Sequence, residues 1–262
     1  MAKGVDSLVE SADYDTSINV IGGLKDCSII HQAITSFFDN GNAFDEKNTR
    51  LRTERSRMRI EHAVKEGFLK FHNQDHRDLI KSLFQNSAPG NELELVLYWQ
   101  FALNNSLFRV VSSDLFMKTY FSGRTGIGKD DVVAYLKEIV PHDVEMKPKW
   151  SENTISTLAT KYLNLLTKLN LIEGGRVKLF RYVKPTSEQI VIFLYFAKLF
   201  EPGNSDISTN GFLPLSFVPQ EDFHRRLKRL SLKGLFNMDM NGVALKVELT
   251  YGYKEICDVL YG

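Results

Sequence analysis

The chain has 262 residues, 43% apolar and 25% charged, and its 33 basic and 32 acidic side chains leave a formal net charge of +1. This length supports one large or two modest cores, and the composition excludes a disordered or fibrous chain. With almost no net charge, any argument for a nucleic-acid partner has to rest on local patches.

Cys27 and Cys257 lie at opposite ends without CxxC or Cys/His spacing. That argues against a metal site or a disulfide framework and fits a reducing cytosol. The polar, acidic N-terminus has no basic segment before an apolar run, so no signal peptide is expected and a cytoplasmic location is. Leu93–Leu103 and Ile190–Phe200 are strongly apolar but far short of the roughly 20 residues a membrane span needs. Glu94, Gln100 and Lys198 interrupt them, so both read as buried helices.

In chain order, residues 1–20 are polar, with a hint of helix at Ser7–Glu10. Leu24–Phe38 carries a helical apolar stripe that Asn40-Gly41-Asn42 stops. Asp45–Phe71 is arginine-rich, and Arg52, Arg55 and Arg59 share one face by i, i+3, i+7 spacing. This face is either solvated and balanced by Glu46, Glu54 and Glu61, or a phosphate-contacting surface suited to the arginine fork. Asp78–Phe84 and Glu92–Phe108 are further helices, separated by Ser87–Gly90. Ser113 or Asp114 should cap the next, through Phe121. Gly123–Gly128 is a loop, and Lys129–Val140 is an amphipathic helix ending at Pro141.

Trp150–Val183 (WSENTISTLATKYLNLLTKLNLIEGGRVKLFRYV) is the most informative stretch. Ser151 is placed as an N-cap, and Trp150 before it as a hydrophobic staple. Ile155, Leu158, Ala159, Tyr162, Leu165, Leu166 and Leu169 build one apolar stripe. The opposite face carries Asn153, Thr157, Thr160, Lys161, Asn164 and Lys168, and no carboxylate. At Leu171 the period shifts from 3.6 to 2. Gly174-Gly175 then reads as a two-residue hairpin turn, with Arg176, Lys178 and Arg181 along the following strand. A helix with an acid-free face running into a basic hairpin is the outline of a winged helix-turn-helix. Lys147 and Lys149, just upstream, join this face as candidate backbone contacts.

Pro185–Glu188 starts a buried helix to Phe200, and Glu201–Asn210 is a loop on composition. Pro219 begins a helix to about Lys233, stopped by Gly234, with Phe223, Leu227 and Leu230 inward. Arg225, Arg226, Lys228, Arg229 and Lys233 crowd its outer face. A second hairpin follows, Phe236–Met240 and Val243–Thr250 about an Asn241-Gly242 turn, and a short helix spans Tyr253–Leu260. The two C-terminal segments rhyme: helix, apolar corner, Gly-centred hairpin.

Catalytic patterns are lacking. Gly123–Lys129 fits the front of a P-loop, but Asp130 stands where Ser or Thr is required, and no strand is expected before it. His72 and His76 have i, i+4 spacing without a third ligand. No nucleophile elbow, deaminase signature or paired carboxylates occur. The chain is therefore expected not to be an enzyme and to need no metal or cofactor.

The block LVLYWQFALNNSLFRVVSSDLFMKTYFSG, then GKDDVVAYL and WSENTISTLATKYLNLLTKLNLIEG, resembles the BrxA family of bacterial BREX phage-exclusion systems. The aromatic-rich helix at Ile190–Phe200 and the corner LKRLSLKGLF continue the likeness, which covers about Glu92–Gly262. The resemblance implies a non-enzymatic accessory protein with winged-helix character that binds double-stranded DNA beside a methyltransferase and other BREX components. It supplies no residue-level site.

The expected fold class is mainly α, a helical N-terminal region (1–90) followed by two winged-helix-like units (91–185 and 186–262), each with a hairpin wing. The first functional expectation is duplex-DNA binding with little sequence preference. The DNA-binding candidates are Arg52, Arg55, Arg59, Lys147, Lys149, Asn153, Thr157, Lys161, Asn164, Lys168, Arg176, Lys178, Arg181, Arg225, Arg226, Arg229 and Lys233. The rivals are a protein scaffold for the defence complex without DNA contact, and an RNA-binding module using the arginine-rich segment.

Overall fold

Helices make up most of the fold, and two small antiparallel sheets complete it. The computed structural model describes residues 14–44, 53–85, 93–140, 150–241 and 244–262. Ser7–Glu10, Ser87–Gly90, Arg52, Lys147, Lys149 and the Gly242 half of the second turn lie outside the described residues.

The N-terminal region holds α1 (Ile18–Ile21), α2 (Ser28–Asn40), α3 (Glu54–Phe68) and α4 (Gln74–Gln85). The arginine-rich helix starts at Glu54, where the Thr53 hydroxyl accepts the Ser56 amide at 3.3 Å. The short α1 was not legible as a separate helix, yet it packs closely along a later one. There Gly22 abuts the Lys161 carbonyl so closely that a Cβ on it would sit 2.1 Å from that oxygen. Lys168 Nζ, further along the same helix, donates to the Gly22 carbonyl at 2.7 Å and fastens the contact at that same residue. Gly22→Ala should therefore cost about 1–3 kcal/mol through overpacking against backbone. Urea unfolding measures this, and an unchanged midpoint would mean α1 is not seated there.

The middle of the chain forms α5 (Leu93–Asn104), α6 (Ser106–Val110), a π-helical stretch (Val111–Met117), α7 (Lys118–Phe121), β1 (Gly126–Ile127), α8 (Lys129–Ile139), α9 (Glu152–Lys168), β2 (Ile172–Glu173) and β3 (Lys178–Phe180). The expected helix through Phe108 breaks at Asn105. Its extended backbone lets the side chain accept the Phe108 amide at 2.7 Å, so Asn105, rather than Ser113 or Asp114, caps the next helix. That helix runs through the rare π stretch, where the buried Ser112 hydroxyl meets the Tyr162 hydroxyl at 3.1 Å. β1 is a strand where the sequence reads as loop, and it pairs with β3 through Gly126–Leu179 and Ile127–Lys178. The sheet order is β1-β3-β2. The first hairpin turn is longer than two residues, because Glu173 faces Leu179 and only Gly174 takes a positive φ, 95°.

The last third holds α10 (Ser187–Phe200), α11 (Gln220–Ser231), β4 (Phe236–Asn241), β5 (Ala244–Leu249) and α12 (Ile256–Tyr261). Thr186 and Gln189 form a reciprocal capping box at the start of α10. The segment read as loop carries two 3-10 turns, Ile207–Thr209 and Leu213–Ser216. The second hairpin pairs one residue further than expected, with Asn241 in the strand opposite Ala244. Asp206 bridges to Lys246 on β5, so a short extended segment before α11 lies beside the second hairpin strand, as β1 lies beside β3. Each hairpin thus follows a helix, a short extended segment and a second helix, with the full helix α8 intervening in the first case and the two 3-10 turns in the second.

One apolar core runs from Ile18 to Cys257 through all of these elements. α5 and α10 are buried on nearly every side, which explains their continuous apolar runs. Among the described residues no helix is long and apolar enough to cross a membrane. Phe217 holds a left-handed backbone (φ 57°) while its ring packs against Tyr98, Phe116 and Tyr120. Burial of that ring offsets the order of 1 kcal/mol such a conformation costs a non-glycine residue.

Candidate nucleic-acid interface

The described basic residues among those singled out in the sequence fall on four surfaces with different accessibility. On α3, Arg55 and Arg59 point outward, because Ala63, Val64, Gly67 and Phe68 turn the other side of the helix inward. Arg57 between them pairs with Glu61 at 3.5 Å.

The polar face of α9 is only partly open. Asn153 is exposed, but Thr157, Lys161, Asn164 and Lys168 are half-buried. α1 packs along this helix from one side and α8 from another. Lys168 is held by Gly22, its pKa pushed down mainly by burial. Thr160 and Thr167 turn their hydroxyls back onto the helix, donating to the Ser156 and Leu163 carbonyls at 2.9 Å. The missing carboxylates on this face thus have an internal explanation: it meets backbone carbonyls and a packed helix. Trp150, expected as a staple on its own helix, lies against Tyr14 of the N-terminal segment, with ring centroids 6.2 Å apart.

On the first hairpin Arg176 is exposed at the turn. Lys178 Nζ donates to the Gly174 carbonyl at 2.8 Å, and Arg181 forms an ion pair with Glu173 at 2.8 Å and a hydrogen bond to Asn170. Arg176 and Lys178 line one groove with Arg124 and Lys129. Arg181 lines the neighbouring one with Arg226.

The outer face of α11 is open. Phe223, Leu227 and Leu230 anchor its inner face, while Arg225, Lys228 and Arg229 on the helix and Lys233 in the turn that follows it are exposed. Arg225 pairs with Asp222 one turn earlier, and Arg226 donates to the Pro185 carbonyl at 3.1 Å. Lys228, Arg229 and Lys233 have no ion-pair partner among the described residues. Glu221 and Asp222 in the first turn and the cations in the last follow the helix dipole, which stabilises α11 and concentrates positive charge at its C-terminal end.

The near-miss sites are already occupied by the protein. Asp131 accepts the Gly128 amide at 2.7 Å and a two-pronged Arg124 pair at 2.8 and 3.1 Å. Lys129 donates to Ser156 at 2.7 Å. The glycine-rich loop is thus a capped helix start, with its own carboxylate at the amide that a phosphate would need. His76 has both ring nitrogens engaged, and no group of three potential metal ligands occurs among the described residues. Burial pushes both thiols, Cys27 and Cys257, up to about 11, so they stay protonated near neutrality.

Several exposed side chains around the first hairpin had no place among the sequence candidates. Tyr182 is 85% exposed, and Phe121 and Leu179 are each 44% exposed. Lys184 stands beside them on the extended segment into α10. The alternation Arg181-Tyr182-Val183-Lys184 ahead of Pro185 was the available signal, since in an extended segment it sets Tyr182 and Lys184 opposite the half-buried Val183. Comparison with protein-family models, with curated proteins and with solved structures gives no match for this chain.

Proposed function

We propose that both hairpin-bearing units are winged helices and that the protein binds double-stranded DNA with little sequence preference, chiefly through α11. The open face of α11 carries the reading: Lys228 and Arg229 are exposed near the end of the helix that precedes the second hairpin, Lys233 is exposed in the turn just after it, and none of the three has an ion-pair partner among the described residues. In a winged helix that is the position of the groove-facing helix. The shared order of short strand, helices and hairpin supports the fold part of the reading. Phosphate contacts would supply most of the affinity, and cations on one helix face deliver them without reading bases. The likeness to the BrxA family then suggests an accessory, non-catalytic role beside a methyltransferase and other components of a phage-defence system. The face of α9 is secondary here, because α1 is packed along it.

Fluorescence anisotropy of a labelled arbitrary duplex of about 30 base pairs tests this at ~50 and ~200 mM salt. Binding should weaken sharply between the two. Arg229→Glu with Lys233→Glu should lower affinity at least tenfold and flatten the salt dependence, since each phosphate contact contributes roughly one to the slope. No binding of the native chain at low salt would sink the reading. The scaffold role would then take its place, tested by pull-down of the proteins encoded beside it.

A further inference from the structure

We infer that the groove between the first hairpin and the start of α11 is a second binding site, one that holds single-stranded nucleic acid. The groove encloses about 670 Å³ and runs from Phe121 and Arg124 past Tyr182 and Lys184 to Arg226. Its apolar surface is largely aromatic and laid open. The Tyr182 ring projects at 85% exposure from the extended segment after β3, and Phe121 flanks it. Below them Tyr120, Phe180 and Phe217 form a packed aromatic floor, with centroids 5.4–5.7 Å apart. Tyr120 also accepts the Val183 amide at its hydroxyl, 3.0 Å away, which fixes the backbone that carries Tyr182. An exposed tyrosine on a pinned backbone loses little freedom when a flat ring stacks on it.

The rim is positive. Arg124, Arg181, Lys184 and Arg226 line the groove together with two carboxylates, Glu173 and Asp222, and Arg124 is already paired with Asp131 just outside it. Both acids are already engaged, Glu173 by Arg181 and Asp222 by Arg225, which points to it from outside the groove. Lys184 has no carboxylate partner among the described residues, and Arg226 spends one nitrogen on the Pro185 carbonyl. Exposed rings beside unneutralised cations match an unpaired nucleotide strand, whose bases stack and whose phosphates take the cations. A base paired inside a duplex cannot reach Tyr182 in this way, so this site differs in substrate from the α11 face and does not rest on it.

The test uses the full chain and a labelled oligothymidylate of about 15 nucleotides, which cannot pair with itself, at ~50 mM salt. The native protein should bind it, and Tyr182→Ala should weaken that binding by roughly 5- to 100-fold. Tyr182→Trp should restore it, because the larger ring stacks at least as well. Arg229→Glu with Lys233→Glu should leave oligothymidylate affinity within about twofold, whatever it does to duplex binding, which separates this proposal from the previous one. No binding by the native chain, or equal binding by Tyr182→Ala, overturns the proposal. It is also overturned if a random Glu–Tyr copolymer binds with Tyr182 dependence while the oligonucleotide does not. The groove would then be a site for an acidic peptide.

Discussion

Trp99→Ala is expected to destabilise the whole chain by about 3–5 kcal/mol and to unfold both hairpin units in the same transition. Trp99 is fully buried on α5, the element shared by the two halves of the core. Its ring stands 5.4 Å from Phe193 and 5.8 Å from Phe196 of α10, centroid to centroid. Its indole N–H donates to the Leu215 carbonyl at 2.9 Å, reaching across 116 positions of sequence. Truncation leaves a large cavity between α5 and α10 and strands a buried carbonyl, and the second loss alone costs about 1–3 kcal/mol. Trp99→Phe keeps most of the volume and loses only the hydrogen bond, so it should cost roughly 1–3 kcal/mol. Urea unfolding followed by circular dichroism and by tryptophan fluorescence, which in both variants comes from Trp150 alone and reports on the first unit, measures both. Coincident curves for the native chain and for Trp99→Ala are expected. Two separated transitions would show that the units fold independently, and the role given to Trp99 would fail.

The second large effect is a loss of stability in mild acid, carried by His76. Its side chain is fully buried where the end of α3, the start of α4 and the middle of α5 meet. Nδ1 accepts the His72 amide at 3.2 Å, and Nε2–H donates to Gln100 Oε1 at 2.7 Å. Gln100 in turn donates to the Phe68 carbonyl at 3.1 Å, one of the last carbonyls of α3. Neutral imidazole satisfies each of these groups. Imidazolium would set a second donor against the His72 amide, in a site that burial already makes hostile to charge. Burial, its largest cause, accordingly pushes the His76 pKa down to about 4 from the ordinary 6.5. Because the folded value lies below the unfolded one, the unfolded chain binds the extra proton between those limits. The contribution to stability is complete above about pH 6.5 and is lost as pH falls toward 4, by about 3 kcal/mol in all. Burial depresses His31 in the same direction, so both imidazoles act in this window. The free energy of unfolding, measured between pH 7 and 4.5, should fall with a slope approaching 1.4 kcal/mol per pH unit for each such proton. His76→Gln should be less stable at pH 7 and flatter by about one proton. An unchanged slope in that variant would falsify the assignment.

Much of the architecture is legible in local chemistry. Ser151, Thr186 and Gly41 mark helix ends because caps and stops act within four residues, whereas α11 stops at Ser231, before the expected Gly234. The Phe223/Leu227/Leu230 stripe identifies the inner face of α11 because helical periodicity is local too. Apolar runs at Leu93–Leu103 and Ile190–Phe200 are too short for a membrane and too continuous for a surface, which leaves the interior. Hairpins were legible from their glycines, although not their registers, since register depends on partners distant in sequence. β1 and the Asp206 bridge were invisible for the same reason: a strand of one or two residues has no periodicity of its own.

The candidate site divides along the same line. Composition and spacing by themselves determined which residues are basic and which helices carry them, and that Asp130 stands where a phosphate loop needs Ser or Thr. Only the tertiary structure decided which of those faces are open. The acid-free face of α9 and the basic face of α11 read alike as strings. Gly22, far away in the sequence, lets α1 pack against the first, and among the described residues no comparable element covers the second. It also gathered Tyr182, Lys184 and Arg226 around one groove, although Arg226 sits more than forty positions away on another helix. Charge and periodicity are properties of a segment and are fixed when the chain is written; exposure is a property of what else packs there, and it is settled only when the core closes.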